Sequence, residues 1–278
     1  MKYSLFFMLI LLASCGGDNF NKVEVLKGFR ILSVVMTTPA TESEVQEGTL
    51  VRLKLYVSDV EGAGRSHVGT TTSCIDPGIS LGAKVNCDHD PSAITPEFTL
   101  NTNTPDLSAN LYTGLADDFV DVTVPVGIFT GRSAREQFNG VSYIVIFNFT
   151  VDGKAVSVFK RIVATNRGSL NTNPTGSAVF LNGVAIASAP APAKDDKLKV
   201  TTSSPETYKF INAEGDTETR TEVFQVAWFI TQGTFDKPKS DVDETVKYLG
   251  DAATIPSLVI SIVRDDRGGA EIVREIFP

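Results

Sequence analysis

Directly behind Cys87, the run Asp88-His89-Asp90 sets two carboxylates beside an imidazole. Those are donor types that can ligate a metal together. Adjacent residues on an extended chain point to opposite sides, so the three side chains do not converge without a turn. No further ligands are identifiable nearby, and a solvated loop without metal is expected at Asp88, His89 and Asp90. Two other acidic groups, Asp117, Asp118 and Asp121, then Asp241, Asp243 and Glu244, offer the oxygens that calcium prefers. Neither reproduces the D-x-[DN]-x-[DN]-G-x5-E loop. No cofactor is therefore expected, and calcium is the one ion these oxygens would suit. Arg132 and Arg135, with Glu136 beside them, could present a guanidinium fork to a carboxylate or a sugar acid. The competing reading pairs them with neighbours or solvent at the surface.

Nucleophilic catalysis needs a nucleophile, a base and an orienting group. The chain has only two histidines, His67 and His89. It shows no G-x-S-x-G elbow, H-E-x-x-H pair, Walker loop or dinucleotide fingerprint. The formal net charge is −8, and lysine and arginine are scattered without a run. A nucleic-acid binder would carry a basic patch, so DNA and RNA are excluded as partners.

The elements that must position these residues read as strands. Phe29 to Met36, Thr49 to Val57 and Phe119 to Val124 carry strand patterning, clearest as apolar–polar alternation in the latter two. Tyr143 to Val151 and Val156 to Ala164 flank Asp152-Gly153, a strong hairpin signal because a type I′ turn needs positive φ at both central residues. A helical turn is expected near Ser133 to Phe138. Ala178 to Ile186, Leu198 to Thr202, Glu206 to Ile211 and Glu222 to Thr231 read as further strands, and Leu258 to Val263 with Glu271 to Phe277 as a closing hairpin. Trp228, the only tryptophan, has apolar neighbours and is expected to plug a core.

Repeated short strands with turns between them predict an all-β chain of two tandem Ig-like β-sandwiches. Their expected bounds are 29–165 and 177–278, joined by an Asn/Thr/Gly/Pro-rich linker at 166–176. The stretch 61–118 lacks a clean pattern and is expected to be an insertion of the first sandwich.

The N-terminus carries Lys2, an apolar core from Leu5 to Leu12, and then Leu12-Ala13-Ser14-Cys15. That core is far shorter than the ~20 residues of a membrane span and suits a secretory signal. The last four residues resemble the lipobox of bacterial lipoproteins. The resemblance implies a signal peptide at 1–14, fatty acyl chains such as palmitate on Cys15, and a lipidated tether over 15–28. Gly16, where an Asp would favour inner-membrane retention in enterobacterial lipoproteins, implies the outer membrane, with the periplasmic or surface face left open. With Cys15 acylated, Cys74 and Cys87 remain as an even pair, and in an exported protein a disulfide is expected. Their spacing is not C-x-x-C, and a second pair of metal ligands is missing.

Phe29-Arg30-Ile31-Leu32-Ser33-Val34, Gly131-Arg132-Ser133-Ala134-Arg135-Glu136, Val226-Ala227-Trp228-Phe229 and Val263-Arg264-Asp265-Asp266-Arg267-Gly268-Gly269 follow the lipobox. Together they resemble uncharacterised Ig-like cell-surface lipoproteins of myxobacteria and Bdellovibrio-like bacteria. That resemblance implies fold and address and brings no activity with it. The expected function is a non-catalytic envelope-anchored lipoprotein for binding, adhesion or scaffolding. Its expected partners are the membrane, through the lipid anchor, and another envelope protein or a surface glycan. The alternatives are an exported carbohydrate-active or other hydrolase with its site in 61–118, and an accessory lipoprotein of a secretion, pilus or flagellar complex.

Overall fold

Period-two alternation builds the first layer. In the strand β3 (Leu50–Ser58), Val51, Leu53, Leu55 and Val57 are buried while Leu50 and Arg52 face outward. The computed structural model describes residues 23–62, 65–78, 85–90, 97–101, 115–186, 189–252 and 257–277. Cys15, the signal segment 1–14 and most of the tether 15–28 lie outside them.

β3 sits between β1 (Arg30–Thr38) and β6 (Leu115–Thr123) in an antiparallel three-stranded sheet. A five-stranded sheet faces it. Its order is β2 (Glu44–Val45), β8 (Lys154–Ala164), β7 (Val141–Val151), β4 (Ser66–Ile75) and β5 (Glu97–Asn101). β2 pairs with β8 in parallel, and the remaining pairs are antiparallel. Met36, Leu53, Leu55, Val145, Phe147 and Ile162 belong to the core between the two sheets. The β7–β8 turn has φ of 51° at Asp152 and 73° at Gly153, as a type I′ turn requires.

A second sandwich follows. One sheet orders β10 (Val184–Ala185), β9 (Ala178–Leu181), β11 (Lys197–Thr201) and β16 (Thr245–Lys247). The other orders β15 (Lys239–Asp241), β14 (Gln225–Ile230), β17 (Ser257–Arg264) and β18 (Ala270–Phe277). Trp228, Tyr248, Val259 and Phe277 help fill the core between them, and the Trp228 indole N–H donates to Ser240 Oγ at 2.9 Å. A separate hairpin pairs β12 (Thr207–Ile211) with β13 (Thr217–Thr221). The short α-helix α1 (Ala134–Asn139) is opened by a capping box between Ser133 and Glu136.

β14 and β17 do not alternate: both are apolar on both faces. Val226, Trp228 and Val259 point into the second core. Ala227, Phe229, Leu258, Ile260 and Ile262 point the other way and pack on Leu32 and Val35 of β1 and on Leu26. Strands covered on both faces read as continuous apolar runs. This sheet is therefore a wall shared by the second core and a third apolar layer against the first sandwich.

Three features differ from the sequence expectations. The stretch 61–118 is not set apart from the sheets, because β4, β5 and the start of β6 come from it. Its polar alternation, as in Ser66–Ile75, hid a strand that is buried at every second position near its start. The segment 166–176 is not a free linker: Arg167 and Asn171 within it are buried. Ala178 to Ile186 is two short strands, turned at Asn182 (φ 50°) and Gly183 (φ 86°).

Candidate functional site at the junction of the two sandwiches

The buried segment after β8 crosses a polar cluster drawn from distant parts of the chain. β2 lies against the end of β8 and sets the Glu44 carboxylate inside the protein. Glu44 accepts from Arg167 Nη2 at 2.5 Å, from Arg267 Nη2 at 2.7 Å and from the Asn171 backbone N–H at 3.0 Å. Asn171 Nδ2 donates to Ser43 Oγ at 2.5 Å and to Asp265 Oδ2 at 2.9 Å. Arg267 also reaches Glu222 Oε1 at 3.3 Å, and Arg167 Nη1 donates to the Lys209 carbonyl at 3.1 Å. Both Arg167 and Arg267 keep an Nε–H without a protein acceptor among the described residues.

The Glu222 carboxyl is pushed above its ordinary range, first because burial disfavours its charge. A backbone N–H donated to it by Glu206 and the nearby Arg267 work in the opposite direction. One carboxylate shared by two guanidinium groups is the arrangement that lets charges persist away from water.

Arg167 and Arg267 of this cluster line a cavity of about 260 Å³. Phe138 of α1, Ser169, Tyr208 of β12 and Thr219 of β13 contribute to its walls, with Glu206 and Lys209 also lining it. The Arg267 guanidinium lies 4.2 Å from the Tyr208 ring centroid, within cation–π reach. The cavity thus combines aromatic surface, hydroxyls and arginines whose charge is already matched. It suits a small polar ligand with an apolar face.

The residues singled out in the sequence sit elsewhere. Cys74 and Cys87 form a disulfide with a Cα–Cα distance of 5.7 Å, buried beside Ile144 and Ile146. In the loop behind it, the His89 ring lies 3.2 Å from the Ile75 carbonyl, Nε2 to oxygen. Among the described residues, no group of three His, Cys, Asp or Glu side chains could hold a metal ion, at Asp88, His89 and Asp90 or elsewhere. Arg132, just before α1, pairs with Glu136 of that helix at 3.3 Å, and Arg135 of α1 is exposed. Asp121 pairs with Arg52 at 2.7 Å and Asp243 with Lys199 at 3.2 Å. Glu244 pairs with Lys237 and accepts from the Asp241 backbone N–H at 3.1 Å.

Glu44, Arg167, Asn171, Tyr208 and Glu222 carried no local signal, because they converge from separate segments. The Arg264-Asp265-Asp266-Arg267-Gly268-Gly269 turn was the one visible pointer, and it brings Arg267 to the cavity.

No family model matches the chain, and no curated protein matches it. Among solved structures, it is similar to red sea bream transglutaminase at TM-score 0.30 and 6% identity, over 90% of this chain and 31% of that one. A dimeric latent PorU from Porphyromonas gingivalis gives TM-score 0.26 and 12% identity over 94% of this chain. The chain spans 21% of that protein's length. The YadV chaperone gives TM-score 0.23 and 11% identity, over 87% of this chain and 98% of the other. Similarities at this level carry no inference about function.

Proposed function

We propose that this chain is a non-catalytic binding lipoprotein of the cell envelope, held by acyl chains on Cys15, that captures a short surface glycan in the junction cavity. The observation that carries the reading is Tyr208 and Phe138 lining one cavity with the ion-paired Arg167 and Arg267. Sugars present apolar ring faces to aromatics and hydroxyls to polar groups. The two β bodies are read as Ig-like modules that hold this cavity away from the membrane.

The test is calorimetric titration of envelope-derived oligosaccharides into the full chain. Tyr208→Ala is expected to weaken binding by about tenfold, the order expected when an aromatic contact is lost. Equal affinity in that variant would remove the cavity from the reading. Mass spectrometry of the mature N-terminal peptide tests the anchor; an unmodified Cys15 would overturn it.

A hydrolase reading has one observation in its favour. A second cavity, of about 480 Å³, has both Asp90 and Asp121 on its lining, with the Tyr143 hydroxyl donating to Ser73 Oγ at 2.8 Å nearby. Paired carboxylates can hydrolyse glycosides. Glycan turnover that disappears in Asp90→Asn would favour this reading over capture.

A further inference from the structure

β8 sends Val156, Val158 and Ile162 toward the first core, and Lys160 shares their side of the strand. A lysine at a position where the alternation calls for an apolar residue needs a reason. Its ammonium forms no ion pair with a carboxylate among the described residues. It donates to the Gly268 carbonyl at 2.5 Å, in the turn between β17 and β18.

Arg264, at the end of β17, lines the same cavity. Its guanidinium donates to the Leu32 carbonyl at 2.9 Å, and the rest of its N–H fork has no protein acceptor among the described residues. Asp265 is the nearby anion, but its oxygens already accept from the Arg267 and Gly269 backbone N–H groups and from Asn171 Nδ2. Two half-buried cations therefore share a cavity of about 280 Å³ with no ion pair between either of them and a described carboxylate. Buried charges are ordinarily paired, and two cations beside the single carboxylate of Asp265 leave an excess positive charge poised for an external anion.

We propose that the cavity between β1, β8 and the β17–β18 turn is an anion site, in which Lys160 and Arg264 together hold the carboxylate or phosphate group of a small ligand. The site is separate from the glycan reading above and does not depend on it. The guanidinium supplies a flat fork of donors and the ammonium supplies a point charge.

The electrostatics around Lys160 agree with this geometry. Loss of solvent, with Arg264 adding repulsion against the attraction of Asp265, pushes the Lys160 ammonium down to about 8. Facing it are Arg161 on its own strand, which pairs with Asp76 at 2.8 Å, and Arg264 and Asp265 from the turn. The cavity residues of β1, Ile31 to Val34, carry no titratable side chain. An anion binds the charged amine, so affinity is expected to fall as the solution is raised above that value.

The experiment uses the full chain, with inorganic phosphate and acetate as separate probes. Acetic anhydride labelling, read by peptide mass spectrometry, reports each lysine. Phosphate or acetate is expected to slow acylation of Lys160 selectively, and whichever protects at lower concentration identifies the oxyanion class. By calorimetry, Lys160→Met and Arg264→Met should each weaken binding about tenfold or more, the scale of a lost charge-assisted hydrogen bond. Lys160→Arg should retain binding at pH 6.5 and, unlike the parent, at pH 9.5. Equal protection of all lysines, or none by either probe, overturns the proposal. That labelling is done on the unsubstituted protein, so it decides the matter even if Lys160→Met fails to fold.

Discussion

Two of the contacts that join the sandwiches obey opposite chemistry. At the apolar wall, Ile260, Ile262 and Phe229 lie against Leu32 and Val35. At the polar junction, Glu44 is clasped by Arg167 and Arg267. The wall is held by area and tolerates side chains of similar volume. The junction is held by charge matching, in which each member is needed to justify burying the next. The wall therefore makes the two bodies adhere, while the junction fixes how they sit.

The largest expected effect comes from breaking the charge match. Glu44→Gln leaves two buried guanidinium groups facing a neutral amide, and should cost about 3–5 kcal/mol in urea unfolding. A loss within 1 kcal/mol would mean water already screens the junction. Ile260→Ala attacks the wall. Its fully buried side chain leaves a cavity, for an expected loss of about 3 kcal/mol in the same assay. Ile260→Leu, which keeps the volume, should recover most of that, whereas a conservative Arg267→Lys at the junction should recover little, because the ammonium cannot span Glu44 and Glu222.

Smaller effects sharpen the contrast by acting away from both contacts. Opening the disulfide with Cys74→Ser frees a segment whose ends are 13 residues apart, for an expected loss of about 2–3 kcal/mol. Limited proteolysis should then cut in the first body while the second resists. If the second body is cut as early, the wall transmits more than adhesion.

The smallest effect is a slope with pH. The folded Lys160 gives up its proton near pH 8, below the ordinary lysine value, so the unfolded chain binds more protons between the two. Stability contributed by this residue is therefore expected to rise as pH goes from about 8 toward 10.5. Lys160→Met should flatten that rise in urea midpoints.

Much of the fold was legible because it follows from local pattern. β3 alternates, β7 and β8 flank an Asp-Gly turn, and β14 surrounds Trp228 with apolar residues. Several of the missed strands are polar or very short. β13, Thr-Glu-Thr-Arg-Thr, has no apolar residue at all and is held by pairing with β12. β2 is two residues long, and its role is to place Glu44. Asn182-Gly183 carried the same turn signal as Asp152-Gly153 but lay inside a stretch read as one strand. The junction was illegible for a different reason. Glu44, Arg167, Glu222 and Arg267 each look like an ordinary surface charge, and only long-range topology shows that they share one buried point.

The shared wall has an optical consequence. The chain's single indole is fully buried on one side of it, while its neighbours Ala227 and Phe229 face the other. Its fluorescence is thus a built-in witness to whether the layers melt together. An emission maximum that moves to the red in step with the far-ultraviolet signal would mark one cooperative unit; an earlier red shift would mark the second sandwich letting go first.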